Sequence, residues 1–510
     1  MKKLNIVILV VVTLPIIQFV FLATNNYEIQ VIDSFQNANN RNNGLNYYSS
    51  KIEISSTYNA QDYIGLQESL WENGLTGKNI TVAVIDTGIS GNHSAFTNDG
   101  KSLWSDRILK YYDLITNSSD IPQDNNGHGT WVASILGGNC SDYKGVAPGV
   151  NLVILRIFDE RGETNVSVFE NAINWILQNK DVYDIRIVSM SFGAKPEADI
   201  FSQISYLQQI VRKLVDNGIL VVAAAGNDGD PSPSDGIGTI NSPASDKKIL
   251  AVGGVDYDGD MYQLSSKGPS FEFTKKPDVC APAVGIFGAD RDFPDDYTFG
   301  SGTSGAAPFV TGLAALMLEK NGALTPLELK NIISLTSYKT INPRIAQDNT
   351  QGWGIIQGYA ALESLNTPVM INTTTEIAVS LTQNYTVFCL PINLKPNYYY
   401  FELVQLDLVH AEMYLYKMQP NNFGIPSLVS NTVNQFFQES LAKRLGIFCE
   451  VEQNYFLVVK SLQRGAGNFL IRLVPEYGNI IFVFLFGISI VSLVYIAKLR
   501  LNIQRRYRPN

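Results

Sequence analysis

Three side chains in this 510-residue chain have the types and settings that nucleophilic acyl transfer requires. Asp86 closes the run TVAVID just ahead of Thr87-Gly88. A carboxylate at such a strand edge accepts a hydrogen bond from an imidazole while remaining ionised. His128 lies in DNNGHGTWVASILGG, near the start of a predicted helix. The dipole there disfavours imidazolium and favours the neutral base that the chemistry needs. Ser304 follows a glycine-rich turn in GSGTSGAAPFVTG and opens another helix. Its hydroxyl is free of strand pairing, and the positive helix end stabilises an anion formed beside it. Asn227 ends ILVVAAAGN, where its amide is placed to donate to the negative oxygen of a tetrahedral intermediate. The chain order Asp, His, Ser excludes the Ser, Asp, His order of the α/β-hydrolases.

These residues need a scaffold that collects strand ends and helix starts. From Ile64 onward, buried runs alternate with amphipathic segments. The runs are 81–86, 151–158, 185–192, 219–227 and 249–256; helix patterns cover 128–138, 166–180, 204–218 and 304–320. This alternation predicts an α/β fold, a doubly wound and mostly parallel sheet flanked by helices, with its site at the strand ends. After Leu365 the texture changes to alternating strands at 385–392, 398–405, 411–418, 455–461 and 468–474, a small all-β sandwich. The expected organisation is a catalytic unit over 61–365, a β-sandwich domain over 366–478, a transmembrane helix over 479–497 and a basic tail over 498–510.

The ends carry the topology signals. Lys2 and Lys3 precede an apolar run from Leu4 to Ala23, the layout of an export signal. Segment 1–23 reads equally as a cleaved signal peptide and as an uncleaved anchor. Segment 24–60 is a polar linker or short pro-segment containing the Asn-rich NANNRNNGLN at 37–46. Ile480 to Ala497 carries no charge and is followed by Lys498, Arg500, Arg505, Arg506 and Arg508, which predicts a span with a cytoplasmic tail. The expected location is the cell membrane, through one anchor or two, with the catalytic unit on the extracytoplasmic side. With 38 Lys and Arg against 47 Asp and Glu the net charge is −9, which argues against a nucleic-acid partner. Only His93, His128 and His410 supply imidazoles, and no HExxH occurs, so a His-rich zinc site is excluded.

The segments VAVIDTGIS, NGHGTWVASILGG, AAAGND and GTSGAAPFVTG resemble the motifs of the subtilisin-like serine proteases. GVAPGVNLVILRI, SMSFG, SPASDKKILAVGGVD, LSSKGPS and KPDVCAP look like further parts of that family, and the resemblance spans roughly Ile64 to Leu365. It implies Asp86 as orienter, His128 as general base, Asn227 as oxyanion donor and Ser304 as nucleophile of a serine endopeptidase. It implies that Ser191, Phe192 and Gly193, with Ala224, Ala225 and Gly226, wall the primary specificity pocket, and that Ser242 and Asn241 floor it. Glu163 and Thr164, in DERGET, would line the edge that pairs with extended substrate backbone. Substrates would be extracytoplasmic proteins or peptides, and catalysis would need no cofactor or catalytic metal. Gly305 stands where most members place Met, and Phe309 where many place His. The strands after Leu365 weakly resemble the pre-peptidase C-terminal domains of secreted proteases. Members usually carry a folding-assistant pro-domain, for which 24–60 is too short. The rival reading is a surface binding protein on a catalytically inactive scaffold of the same family.

Other residues carry less. His93 reads as structural, and His410 carries no role. Asp256, Asp258 and Asp260 around Gly259 leave structural calcium open, though a solvated turn is the plainer reading. Cys389 and Cys449 each lie in a β-domain strand and are able to pair in an oxidising exterior, whereas Cys140 and Cys280 belong to the catalytic unit.

Overall fold

The structure, a computed structural model, describes residues 28–30, 60–66, 68–97, 105–119, 121–140, 143–195, 201–229, 238–407, 409–433, 442–463 and 465–476. The apolar runs at 1–23 and 479–497, the tail 498–510 and the stretch 37–46 lie outside these residues. Among the described residues no helix is long and apolar enough to cross a membrane.

The chain runs through β1 (Glu28–Gln30), α1 (Ala60–Tyr63), α2 (Glu68–Glu72), β2 (Thr81–Asp86), β3 (Ile108–Asp113), α3 (His128–Gly137), β4 (Asn151–Arg156), β5 (Glu163–Asn165), α4 (Val166–Tyr183), β6 (Ile185–Met190), α5 (Phe201–Asp216), β7 (Leu220–Ala224), β8 (Leu250–Val255) and β9 (Val279–Pro282). The hairpin β10 (Ile286–Ala289) and β11 (Tyr297–Gly300) precedes α6 (Thr303–Lys320), α7 (Pro326–Leu335) and α8 (Gly358–Glu363).

Seven parallel strands form one sheet in the order β3-β4-β2-β6-β7-β8-β9. β2 is buried along its whole length and feeds two cores. Val82 and Val84 face one side with Trp131 and the α6 residues Val310 and Leu313, while Ala83 and Ile85 face the other with Phe169, Ile173 and Leu214. Continuous apolar runs of this kind are what a sheet covered on both faces requires. The chain leaves β2 towards β3 and β4, then crosses to β6 and proceeds the other way. Topology therefore opens a crevice at the carboxyl ends of β2 and β6.

The remaining strands are β12 (Val369–Met370), β13 (Thr375–Leu381), β14 (Val387–Leu394), β15 (Asn397–Gln405), β16 (Ala411–Lys417), β17 (Leu428–Asn431), β18 (Ala442–Cys449), β19 (Gln453–Ser461) and β20 (Gly467–Glu476). They form two sheets, β12-β14-β19-β16-β17 and β13-β20-β15-β18, whose inner faces share a core of Phe401, Leu415, Leu457 and Ile471. The inner strands β14, β19 and β16 of the first sheet are largely buried on both sides. Alternate residues Val387, Tyr414, Tyr416, Phe456 and Val458 belong to the core of the α/β unit instead. Trp353 meets Tyr416 edge to face, and Lys460 Nζ donates to the Ser337 carbonyl at 2.6 Å.

Within the polar stretch 24–60, residues 28–30 pair antiparallel with β5, Gln30 opposite Glu163 and Glu28 opposite Asn165. Three residues are too few to leave a periodic signature, and the unpaired edge of β5 supplies the template. The cysteine pairing that the sequence left open is absent among the described residues: Cys389 and Cys449 are both free and buried, Cys389 turned towards the α/β unit and Cys449 towards the sandwich interior.

Candidate active site

Asp86 and His128 meet at the crevice. Asp86 is the last residue of β2 and fully buried. Its Oδ1 accepts from the Thr87 backbone N–H at 2.7 Å and from His128 Nδ1 at 2.7 Å. Burial pushes the Asp86 carboxyl above its ordinary range, and the His128 imidazole offsets only part of that rise. With Asp86 ionised, Nδ1 carries the ring proton and Nε2 presents its lone pair.

A residue that motif reading passed over holds this pair in place. Asp124 Oδ1 accepts from Thr87 Oγ1 at 2.8 Å, Gly127 N at 2.8 Å and Asn126 N at 3.1 Å. Its Oδ2 accepts from the Thr130 backbone N–H at 2.8 Å and from Thr130 Oγ1 at 2.6 Å. Thr87 Oγ1 in turn accepts from Gly129 N at 2.8 Å. One carboxylate thus caps the first turn of α3 and ties it to the turn after β2, fixing both partners of the His128–Asp86 bond. The signal was the acid four residues before His128, at a helix start. Gly88 sits in this turn at φ 122°, and a Cβ there would meet the Gln123 carbonyl oxygen at 1.9 Å, so only glycine fits.

Ser304 is the second residue of α6, which packs against α3. Its Oγ donates to the Ser191 carbonyl at 2.9 Å, and Ser191 Oγ donates to the Ser304 carbonyl at 2.9 Å. This clasp joins the nucleophile candidate to the end of β6. On the other side Thr303 Oγ1 contacts the Gly226 carbonyl at 3.2 Å. The Thr303 backbone N–H donates to Asn227 Oδ1 at 2.9 Å. A backbone N–H can only donate, so it fixes the Asn227 amide orientation and turns Nδ2 to the other side. Thr303 was not singled out from sequence.

Two departures noted at the start of α6 acquire a physical account. A Cβ on Gly305 would lie 2.6 Å from the Trp131 ring, one on Gly300 2.6 Å and one on Gly288 2.4 Å. Trp131 in α3 therefore fills the space opened by Gly305, and its Nε1 donates to the Ile286 carbonyl at 3.3 Å. Phe309 is buried in the same core.

Among the pocket candidates, Ser191 and Gly193 follow β6, and Ala224 and Gly226 follow or end β7. Phe192 differs, since its ring packs edge to face on Phe158 at 4.9 Å and Phe169 at 5.8 Å. It offers backbone alone, and Ala225 likewise points into that core. Glu163 and Thr164 lie in β5, whose edge takes the extended segment 28–30. His93 is buried, and its Nε2 donates to the Asp296 carbonyl at 2.8 Å while Nδ1 accepts from Ala95 N, a structural role. Asp256 Oδ1 accepts from the backbone N–H groups of Asp258 and Asp260, closing a turn on itself. Among the described residues no three His, Cys, Asp or Glu side chains gather as a metal site.

Comparison with known proteins gives concordant matches. The model of the subtilase family matches residues 77–354. The chain is 33% identical over 299 residues to Serine protease AprX of Bacillus subtilis (strain 168), covering 53% of this chain and 64% of that protein. It is 30% identical over 308 residues to Minor extracellular protease Epr of the same organism, covering 58% and 41%. Subtilisin DY of Bacillus licheniformis is 33% identical over 267 residues, covering 52% of this chain and 85% of that protein. The chain thus spans less than two thirds of the length of the first two relatives.

Proposed function

The chain belongs to the subtilase family, and from that premise we propose that it is a serine endopeptidase acting on extracytoplasmic proteins or peptides. The observation that carries the proposal is the buried Asp86–His128 bond of 2.7 Å, placed beside the helix that begins at Thr303. Ser304 Oγ, turned from the Ser191 carbonyl towards His128, attacks the peptide carbonyl carbon and passes its proton to Nε2. Asp86 holds the ring and stabilises the imidazolium. Asn227 Nδ2 and the Ser304 backbone N–H donate to the oxyanion, in line with the amide orientation that Thr303 imposes. His128 then gives its proton to the leaving amine, and water releases the acyl group. These steps use side chains and backbone alone.

The β5 edge supports binding of substrate as an added strand, since segment 28–30 pairs there in that manner. The basic residues after the apolar run 479–497 support an anchored enzyme with its catalytic unit across the membrane from that tail. The test uses the full chain in detergent. Wild type should hydrolyse labelled casein and take up a serine-directed phosphonate at Ser304, and Ser304→Ala should lose both. Labelling at another residue would overturn the assignment. The hydrogen bond between Ser304 Oγ and the Ser191 carbonyl favours the rival reading, an inactive binding scaffold. An unlabelled, inactive wild type would support it.

A further inference from the structure

The chain leaves the described residues from one end of the sandwich. β20 stops at Glu476, and the apolar run begins at Ile480, four residues on. Four residues reach at most about 14 Å. The headgroup layer on each side of a bilayer's hydrocarbon is about 5–8 Å thick, so an anchor over 480–497 would hold the end of β20 within about 10 Å of the lipid headgroups. The neighbouring strands end level with it. Tyr398 in β15 stands opposite Glu476 in β20 on one side and opposite Phe448 in β18 on the other. β18 and β20 both run towards this end, and the turn after Cys449 carries Val451 beyond it.

This end presents apolar and aromatic side chains. Tyr399, Phe401, Leu445 and Cys449 fill the sandwich core, so their strand neighbours Tyr398, Tyr400 and Phe448 lie on the outer face. Phe448 is 53% exposed, Val451 64% and Tyr400 37%. The Tyr398 and Tyr400 rings pack edge to face at 4.9 Å, and the Tyr398 hydroxyl reaches over Gly446, where a Cβ would meet it at 2.5 Å. One pleat repeat away the same face changes character. Arg444 pairs with Glu402 at 2.6 Å, and Arg472 joins Glu376 at 2.7 Å and Glu402 at 3.3 Å. The outer face is therefore amphipathic along its strands, aromatic where the chain leaves and ionic about 7 Å above. The exposed charges flanking the aromatic end in sequence, Lys395, Glu450 and Glu452, are mixed in sign, so attraction to anionic lipid is not what favours it.

We propose that Tyr398, Tyr400, Phe448 and Val451 rest in the headgroup layer of the bilayer, a second contact beside the anchor that fixes how the body of the protein stands on the membrane. This rests on the anchored reading above. Tyrosine suits that layer because its ring is apolar and its hydroxyl meets water, while Phe and Val supply area that the edge of the hydrocarbon takes up. Contiguous exposed apolar side chains mark an interaction surface, and the short connection to the apolar run puts lipid opposite this one. Once the anchor is inserted the contact is intramolecular in effect, so a patch too small to hold a free protein on lipid suffices here.

The test is a spin label on the full chain in phosphatidylcholine nanodiscs, with Cys140→Ser to silence the partly exposed thiol, the other three cysteines being buried. Labels are placed through Val451→Cys or Phe448→Cys at the patch, through Leu406→Cys just past the far end of β15, where Leu406 is 60% exposed, and through Ser489→Cys in the apolar run. Oxygen, which dissolves in lipid, and a water-soluble nickel chelate each relax the label they reach. The oxygen-to-chelate ratio at 451 and 448 should exceed that at 406 several-fold, and Tyr398→Ser with Tyr400→Ser should lower it at 451 towards the value at 406. Added salt should leave it unchanged, and a fall on adding salt would contradict an apolar contact. A water-like ratio at 451 and 448 with a lipid-like one at 489 overturns the docking and spares the anchor. A water-like ratio at all three positions defeats the anchored reading, and the proposal with it. Shielding of 451 from both reagents, with broadening between labels, would show a second copy covering the patch and would also overturn the proposal.

Discussion

Replacing Gly305 by Ala adds one methyl group where the Trp131 ring stands 2.6 Å away. Carbon atoms in contact prefer about 3.5–4.0 Å, so something must move by about 1 Å. The ring cannot yield cheaply, because it also abuts Gly300 and Gly288 and its Nε1 is bonded to the Ile286 carbonyl. The strain therefore passes to the helices. Gly305 is next to Ser304 in α6, and Trp131 is one turn from His128 in α3, so separating the helices separates the proposed nucleophile from the proposed base. Overpacking costs about 1–3 kcal/mol, and a displacement of about 1 Å at the chemistry costs about 100-fold in rate. Gly305→Ala should thus lower kcat by about 10- to 100-fold with a small change in KM, and lower Tm. In a Trp131→Leu background the same substitution should be nearly neutral, giving a coupling of about 1–3 kcal/mol. The assay is kcat and KM on a peptide substrate, with Tm, for the four members of the cycle. Full activity in Gly305→Ala, or additive effects in the double variant, would refute the packing argument.

Two other outcomes follow from the network and the buried charges. Asp124→Ala removes the acceptor of five hydrogen bonds and should lower kcat about 10- to 100-fold with KM little changed. Asp124→Asn, which keeps one acceptor oxygen, should recover part of the loss, and an equal loss in both would count against a positioning role. Burial pushes the Lys330 ammonium down to about 8, opposed by Asp278, from an ordinary 10.5. Between about pH 8 and 10.5 the unfolded chain holds a proton there that the folded chain lacks, so this group makes stability rise with pH across that window. Lys330→Met should flatten the rise in Tm from pH 8 to pH 10 relative to wild type, and parallel curves would contradict the assignment.

Periodic and terminal signals were readable from the chain. Asp86 and His128 each mark the edge of an element whose apolar period spans six or more residues, and such edges survive folding unchanged. The α/β alternation and the parallel sheet followed from the same periods. Long-range complementarity was not readable. Gly305 stood out as a departure, but its partner Trp131 lies 174 positions away and no local pattern joins them. Asp124 carried only the signal of an acid at a helix start; the Thr87 hydroxyl that it ties to α3 lies 37 positions away, with no local pattern joining the two. β3 was missed because its exposure alternates irregularly, and β9 because four residues carry little period. Cysteine pairing was not readable either, because it depends on which face of which sheet each strand turns to the core: Cys389 in β14 and Cys449 in β18 belong to different sheets and different cores.

The inner strands β14, β19 and β16 have little water on either flank, and this ties the fate of one half of the molecule to the other. A protein cut after Leu365 would wear an oily scar where Tyr414, Tyr416 and Phe456 had rested, and the excised sandwich would carry the matching one. A foreign module swapped in at Leu365 would have to match that packing, and a substitution on either flank is felt by the side chains packed on the other.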